Sequence, residues 1–308
     1  MDKKIFSIIV PVYGNEKNLP ITIPYFIDHL DLFPKYLVEI ILICDGSPDK
    51  SWEVMKELKN KYPDVIRIYK LATNSYRQIA IAAGMEKAKG DVIGAISADM
   101  QDPFEIFVDL IRVWENGNKL AVARRVKRKD PGLGWIFSNL FHRFLIKINS
   151  KYPKGGFDCF IIDSSLKNDY IQNITKNGFM PLVLLRICDT VSFVDYERKP
   201  REIGKSGYSF SRKLRAVFTT IIIETDKIFY WSIFVGAFFA VIGVLIGGCT
   251  AILYKSIFLG LLVAFVIILF SGIISLLGLV GMAIYNWAIN LRNLPKYKIE
   301  KEGIEYDE

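Results

Sequence analysis

The N-terminal part of the chain alternates short apolar runs with segments of helical periodicity. Four apolar or β-branched runs, of the kind that form buried parallel strands, lie at residues 5–10, 37–43, 65–71 and 92–97. Residues 51–62 and 77–89 lie between successive runs and predict helices. This alternation predicts an α/β fold with a mostly parallel, doubly wound sheet. Such sheets bind ligands where their strands end, so the segments just after each run are the candidate site.

Two long apolar stretches near the C-terminus predict a transmembrane hairpin. Residues 228–254 and 256–291 contain no Asp, Glu, Lys or Arg, and each exceeds the roughly 20 residues that a helix needs to cross a bilayer. We expect a hairpin at 228–291, with spans at 228–254 and 256–289 and Lys255 at the turn. Residues 1–208 then form one domain of soluble patterning, and residues 292–308 form a cytoplasmic tail.

The segment at residues 209–227 predicts an amphipathic juxtamembrane helix. Phe210, Leu214 and Val217 share one helical face, whereas Arg212 and Lys213 lie elsewhere on the helix. This pattern suits a helix that lies in the membrane interface. The alternative is a core helix of the preceding domain.

The net charge of +8 is concentrated around the predicted hairpin. Basic residues cluster at 124–129, 198–205, 212–215 and 292–301. The positive-inside rule predicts an integral protein of the cytoplasmic (inner) membrane, with both termini and the domain in the cytoplasm. Membrane phosphate explains this charge better than nucleic acid does, because three of the four clusters lie near the spans in sequence. The four cysteines form no CxxC pair, so we expect reduced thiols.

Acidic and amide side chains follow three of the predicted strands. Glu16 comes after the first strand, Asp45 after the second, and Asp99, Gln101 and Asp102 after the fourth. A carboxylate can accept hydrogen bonds from a base or from ribose hydroxyls, and carboxylates with an amide can hold a divalent cation against a diphosphate. Three such segments in order, each at a strand end, predict a nucleotide site.

With these motifs the chain resembles the family 2 glycosyltransferases of the GT-A fold. More narrowly, it resembles the membrane-anchored polyprenyl-phosphate glycosyltransferases, which include dolichol-phosphate mannose synthases and bacterial undecaprenyl-phosphate sugar transferases. The resemblance covers nearly the whole chain. Further segments that carry it are Asn74-Ser75-Tyr76-Arg77-Gln78, Gly90-Asp91-Val92-Ile93, Gly155-Gly156-Phe157-Asp158, Tyr196-Glu197-Arg198 and Pro295-Lys296-Tyr297.

The resemblance implies a role for each matching residue. The residues expected to bind the nucleotide-sugar are Pro11, Tyr13, Glu16, Asp45 and Asp99. Asp99 and Gln101 are expected to hold Mg²⁺ or Mn²⁺ on the diphosphate, and Asp99 and Asp102 are the catalytic candidates. The residues expected to meet a phosphate, of the donor or of the lipid, are Arg125, Arg128, Arg201 and Ser206.

Some residues depart from the family pattern or have a structural alternative. Ser97 stands where relatives usually carry the first Asp of Asp-x-Asp, and Cys44 replaces the first Asp of Asp-Asp-Gly-Ser. Met282 stands where relatives often have Glu. The run from Asp102 to Glu105 also matches a helix N-terminus with a capping box, which would make Asp102 an N-cap. Asp45 could equally form an Asx-turn within its own Asp-Gly-Ser segment.

These features together predict an inverting glycosyltransferase that moves one sugar from a UDP- or GDP-sugar to polyprenyl (undecaprenyl) phosphate. The reaction would take place at the cytoplasmic membrane face, for envelope polysaccharide or glycan modification. A transferase to the hydroxyl of a lipid-linked saccharide is one alternative. A non-catalytic membrane protein that binds nucleotide-sugar or lipid is another, supported by Ser97 and Cys44. Tetramers occur among relatives, so assembly as a homo-oligomer stays open.

Overall fold

The computed structural model describes residues 3–127, 133–176, 178–199, 220, 227–290 and 299–303. The chain forms two compact units. The first comprises Met1–Ser209 together with Leu294–Glu308, and the second comprises Phe210–Asn293.

The first unit is built on a sheet of eight strands. The strands are β1 (Lys4–Val12), β2 (Tyr36–Cys44), β3 (Ile66–Leu71), β4 (Val92–Ala95), β5 (Leu120–Lys127), β6 (Phe160–Asp163), β7 (Ser192–Glu197) and β8 (Ile299–Gly303). Its helices are α1 (Leu19–Asp28), α2 (Ser51–Lys61), α3 (Arg77–Lys87), α4 (Ile106–Glu115), α5 (Leu133–Ile148), α6 (Lys167–Asn173) and α7 (Met180–Ile187). The sheet order is β7-β5-β6-β4-β1-β2-β3-β8.

The centre of the sheet is parallel, as the sequence predicted. Strands β4, β1, β2 and β3 run parallel to one another, and β7 is parallel to β5. Strand β6 is antiparallel to both β4 and β5. Strand β8, which comes from the segment expected to be a tail, pairs antiparallel with β3 at the sheet edge. The predicted α/β class is therefore confirmed.

Both faces of the sheet are buried, which explains why its central strands read as continuous apolar runs. Successive residues of a strand point to opposite faces, so Ile8 and Ile9 belong to different core clusters. The cluster that contains Ile8 includes Phe6 and Phe107, whose rings meet edge to face with centroids 5.3 Å apart. Gly94 leaves room for this pair, because a Cβ there would lie 2.7 Å from the Phe107 ring.

The second unit contains two apolar helices, α8 (Lys227–Leu253) and α9 (Ile257–Asn290), with a break around Lys255 as predicted. Within them, Phe229–Leu253 and Ile257–Tyr285 are long and apolar enough to cross a membrane, with mean hydropathies of 2.3 and 3.0. Glycines let the helices approach closely: a Cβ on Gly247 would lie 2.7 Å from the carbonyl oxygen of Gly260. The predicted amphipathic helix at 209–227 lies outside the described residues, apart from residues 220 and 227.

Candidate active site

Loops that follow β1 and β2 are joined at the carboxyl edge of the sheet. The backbone N–H of Gly14 donates to Ser47 Oγ at 2.8 Å, and that of Asn15 donates to Ser51 Oγ at 3.0 Å. Short side chains that accept from a neighbouring backbone favour such tight turns. The edge predicted from the strand ends therefore forms one connected surface.

Glu16, a predicted nucleotide-sugar ligand, lies where the loops after β1 and β2 meet. Its Oε2 accepts a hydrogen bond from the backbone N–H of Lys50 at 3.0 Å, and its own N–H donates to Asp49 Oδ2 at 3.1 Å. Burial alone would raise the pKa of Asp49, but hydrogen bonds from Ser47 and Ser51 lower it below the ordinary value. One oxygen of Glu16 is thus used to hold the loops together.

Pro11 and Tyr13 lie next to the contact between these two loops. Pro11 is half-buried within β1, opposite Ile43 of β2. The Tyr13 side chain is 52% exposed, and its backbone N–H donates to Asn15 Oδ1 at 3.0 Å. Its ring therefore offers an apolar surface on which a planar base could stack.

Asp45 is almost fully buried and holds the loop that follows β3. Its Oδ1 accepts from the backbone N–H of Ser75 at 2.6 Å, so the carboxylate reaches another loop instead of forming the Asx-turn considered above. Burial raises the pKa of Asp45, and hydrogen bonds from the backbone of Ser75 and Tyr76 oppose that rise. The loops are in close contact: a Cβ on Gly46, where φ is +61°, would lie 2.5 Å from the Asn74 nitrogen.

Tyr76 borders the same edge in a backbone conformation that side chains rarely adopt. Its φ is 71° and its ψ is 153°, a region occupied essentially by glycine. The side chain is 49% exposed, and Lys176 Nζ lies 5.5 Å from the ring centroid. Strained residues of this kind cluster at ligand sites.

Asp99 and Gln101 follow β4, as predicted. Asp99 is only 7% exposed, and its Oδ1 accepts from the backbone N–H of Gln101 at 3.3 Å. The Gln101 amide nitrogen donates to the backbone oxygen of Lys199 at 3.3 Å, which leaves the amide oxygen as the atom able to bind a cation.

The residues at this edge offer oxygen atoms to a divalent cation. The described part of the chain contains no group of three His, Cys, Asp or Glu side chains arranged to hold one. Mg²⁺ in phosphate-binding sites, however, is usually held by one or two carboxylates together with substrate phosphates. The buried Oδ2 of Asp102 also lacks a hydrogen-bond partner among the described residues. The oxygen atoms present therefore fit a cation whose coordination is completed by the oxygens of a diphosphate.

Asp102 is fully buried and does not cap a helix. Helix α4 begins at Ile106 with Glu105 in the capping position, so the capping alternative for Asp102 is wrong. Instead, Asp102 Oδ1 accepts a hydrogen bond from the hydroxyl of Tyr196 and lies 3.5 Å from Arg198 Nε. Burial and the nearby Asp102 charge raise the pKa of Tyr196, so the phenol remains a hydrogen-bond donor.

Three arginines converge beside Asp102. Arg77, Arg125 and Arg198 all contact the carboxylate of Asp158. Arg125 also donates from Nε to the Tyr196 hydroxyl at 3.2 Å, which links the arginines to Asp102. Of the predicted phosphate ligands, Arg125 therefore lies in a basic cluster. The other three, Arg128, Arg201 and Ser206, lie outside the described residues.

Comparison with known proteins decides the family. A model of the family described as Glycosyl transferase family 2 matches residues 7–167, more than half of the chain. The chain belongs to this family. Membership and the sheet described above together confirm the predicted GT-A fold class.

Individual relatives of this family 2 chain differ in how much they cover. An uncharacterized glycosyltransferase of Bacillus subtilis is 30% identical over 68% of the chain, which spans 65% of that relative, less than two thirds. A bactoprenol glucosyl transferase of Shigella flexneri, derived from prophage SfII, is 28% identical over 96% of this chain and 97% of its own. Among solved structures, glucosyl-3-phosphoglycerate synthase from Mycobacterium tuberculosis with Mn²⁺ and UDP-glucose is 13% identical, with a TM-score of 0.49 over 70% of this chain and 76% of that one.

Sequence reasoning assigned no role to four residues of this family 2 site. Arg77, Asp158, Tyr196 and Arg198 were noted only as parts of motifs. A partial signal existed for Tyr196, because it lies in the alternating apolar and charged run Val194-Asp195-Tyr196-Glu197, which is typical of a half-exposed strand; Arg198 breaks this alternation. Their convergence depends on the pairing of β5 with β7, where Arg125 lies opposite Tyr196, and sequence alone does not show that pairing.

Proposed function

We propose that this family 2 chain transfers one sugar from a UDP- or GDP-sugar to undecaprenyl phosphate, with inversion at the anomeric carbon. The observation that carries the proposal is the juxtaposition of acids and a basic cluster at one sheet edge. Asp102 is linked there, through the Tyr196 hydroxyl, to Arg125 of the arginine cluster. Relatives support the acceptor, since one that aligns along nearly the whole chain is named a bactoprenol glucosyl transferase.

The donor would lie on the loops that follow β1 and β2. Pro11 and the exposed ring of Tyr13 would contact the base, and Glu16 would contact the ribose. Asp45 would act differently from the sequence expectation, because its buried carboxylate already accepts from Ser75. It would shape the pocket by holding the loop after β3.

Asp99 and Gln101 would hold Mg²⁺ or Mn²⁺ with the donor diphosphate, as the fit of their oxygen atoms allows. When bound, the cation would supply stabilisation of the negative charge that develops on the leaving diphosphate. The protein residues would fix the donor in place, because Asp99 is held at the end of β4 by its contact with the backbone of Gln101.

The acceptor makes a protein base unnecessary. A phosphate monoester has a second pKa near roughly 6 and is mostly a dianion at neutral pH. One of its oxygens would attack the anomeric carbon while the bond to the diphosphate oxygen breaks, so no proton is removed. Arg125, together with Arg128, Arg201 and Ser206, would hold the phosphate for in-line attack. Asp102 would orient the arginines through its contacts with Tyr196 and Arg198.

The two apolar helices would anchor the enzyme in the cytoplasmic membrane. Lys and Arg residues flank both ends of the hairpin, which favours cytoplasmic termini and a cytoplasmic active site. A polyprenyl phosphate presents its phosphate at that boundary. A membrane-anchored transferase and its lipid acceptor would therefore share one surface.

The proposal is tested with the full-length protein in detergent or nanodiscs, supplied with undecaprenyl phosphate, Mn²⁺ or Mg²⁺ and a panel of UDP- and GDP-sugars. We expect nucleoside diphosphate release together with a glycolipid of the corresponding mass, and loss of both with EDTA or Asp99→Ala. Asp109→Ala is the matched control, since Asp109 is exposed on α4 and its carboxylate pairs with Arg112 on the same helix. Donor binding without any glycolipid across the panel would refute transfer to this acceptor.

A further inference from the structure

Asp158 is the point at which three arginine side chains from separate elements meet. Arg77, at the start of α3, places Nη1 3.1 Å from Asp158 Oδ1 and donates from Nη2 to the Asp158 backbone oxygen at 3.0 Å. Arg125, near the end of β5, contacts Asp158 Oδ2 with Nη2. Arg198, just after β7, places Nη2 3.8 Å from the same oxygen. One carboxylate thus fixes the relative positions of three guanidinium groups.

The cluster carries more positive than negative charge. Three arginines face Asp158 and the fully buried Asp102, which leaves one excess positive charge among these five side chains. The arginine side chains are only 12–32% exposed. The buried Nε of Arg77 also has no hydrogen-bond partner among the described residues.

Guanidinium groups gathered in this way have a clear chemical preference. Partly buried cations need compensating anions, and arginine N–H groups match phosphate oxygens in geometry and charge. A donor that is buried without a protein partner, beside an excess positive charge, therefore favours the binding of an anionic ligand. Phosphate is the anion that the proposed reaction brings to this edge.

We propose that Asp158 is a positioning residue that gathers Arg77, Arg125 and Arg198 into one site for a phosphate group. This proposal rests on the proposed function, and it adds Arg77 and Arg198 to the predicted phosphate ligands, with Asp158 as the residue that positions them. Asp158 has two opposing effects. Its ion pairs hold the arginines in a single geometry, and its negative charge repels the phosphate that they bind.

These opposing effects predict a distinctive result for Asp158→Asn, which keeps the size of the side chain and removes its charge. Phosphate binds more tightly by about tenfold or more, because a like charge several ångströms away has been removed. The turnover number kcat falls by about tenfold or more, because displacement of positioning groups by about 1 Å can cost that much. Asp158→Glu restores the charge and recovers part of kcat.

Asp195→Asn is the matched control. Asp195 also pairs with an arginine across β5 and β7, with Arg124 Nε at 2.5 Å and Nη2 at 2.8 Å, but this pair is exposed to solvent. Removing its charge should leave phosphate affinity and kcat unchanged. The control therefore separates the convergence on Asp158 from the general loss of an Arg–Asp pair on the same two strands.

The experiment measures Kd for undecaprenyl phosphate and for UDP in separate titrations of the full-length protein, together with kcat and thermal unfolding. Tighter binding in the lipid titration assigns the site to the acceptor, and tighter binding in the UDP titration assigns it to the donor diphosphate. Either result, with lowered kcat, supports the proposal. Unchanged or weaker binding in both titrations overturns it, as does a lower unfolding temperature with unaltered Kd and kcat, which marks a purely structural role.

The two proposals fail in different ways. Titrations need no turnover, so the Asp158→Asn comparison can be made even if the unsubstituted protein transfers no sugar. Failure of transfer with tightened phosphate binding contradicts the proposed function alone. Normal transfer by the unsubstituted protein with unaltered Kd in Asp158→Asn contradicts the positioning role alone.

Discussion

The strained backbone of Tyr76 predicts that glycine is better than alanine at this position. Its φ of 71° and ψ of 153° lie in a region that costs a residue with a Cβ about 1–3 kcal/mol. Glycine removes this cost but adds freedom to the unfolded chain, worth about 0.4–1 kcal/mol. The alanine and glycine variants both lack the ring and its contact with Lys176. The difference between their free energies of unfolding therefore reports the backbone alone. We expect Tyr76→Gly to be more stable than Tyr76→Ala by about 1 kcal/mol.

Thermal unfolding of the two full-length variants in the same detergent measures this difference. About 1 kcal/mol corresponds to roughly 2–4 °C in a domain of about 200 residues. Asn116 is the matched site, because it is exposed and has an ordinary φ of −81°. There the order should reverse, with Asn116→Ala more stable than Asn116→Gly. If Tyr76→Gly unfolds at or below the temperature of Tyr76→Ala, the backbone at this position is not strained.

Four further predictions concern the site and its support. Gly155→Ala should abolish activity and lower the unfolding temperature, because its Cβ would overlap the carbonyl oxygen of Arg125; unchanged unfolding would contradict the packing. Tyr13→Ala should weaken nucleotide binding about tenfold in calorimetry, since base stacking on an aromatic ring is worth about 1–3 kcal/mol, and equal Kd values would show that the ring makes no contact. The lowered pKa of Asp49 means that its contribution to stability is complete above the unfolded pKa and is lost as pH falls through the folded one. The stability difference between the protein and Asp49→Asn should therefore shrink in acid melts; a difference independent of pH would refute this. Ser97→Asp should tighten Mn²⁺ binding about tenfold in titrations followed by electron paramagnetic resonance, because a second carboxylate is added two residues before Asp99, and unaltered affinity would place Ser97 away from the cation.

The central strands could be predicted from sequence because burial on both faces makes them uniformly apolar. The four runs found from sequence correspond to β1 to β4, although β4 ends at Ala95, two residues before the predicted end. The edges of the sheet were not predictable in the same way. Strand β8 reads Ile-Glu-Lys-Glu-Gly, a polar pattern that resembles a solvated tail, and only its pairing with β3 makes it a strand. Edge strands commonly carry such charges.

The positions of the site residues were predictable from sequence, but their contacts were not. The rule that ligands bind at the carboxyl ends of parallel strands placed Asp45 and Asp99 correctly at one edge. It could not show what each carboxylate contacts, because those contacts are distant in sequence. Asp45 accepts from a residue 30 positions away, and Asp102 accepts from Tyr196, 94 positions away. Local sequence favoured helix capping for Asp102 because its neighbours fit a cap, and the tertiary partner outweighed that preference.

The contacts of Cys44 and Ser97 bear on whether these two departures from the family pattern imply lost activity. Cys44 is fully buried at the end of β2, packed in a core cluster and opposite Val12 of β1. Burial raises the pKa of its thiol, so the side chain remains neutral and behaves as a small apolar residue. A carboxylate in that position would be a buried charge and not an exposed ligand. Cys44 therefore packs as a core residue, and of the two departures at the sheet edge we expect only Ser97, half-buried just after β4, to affect the proposed cation site.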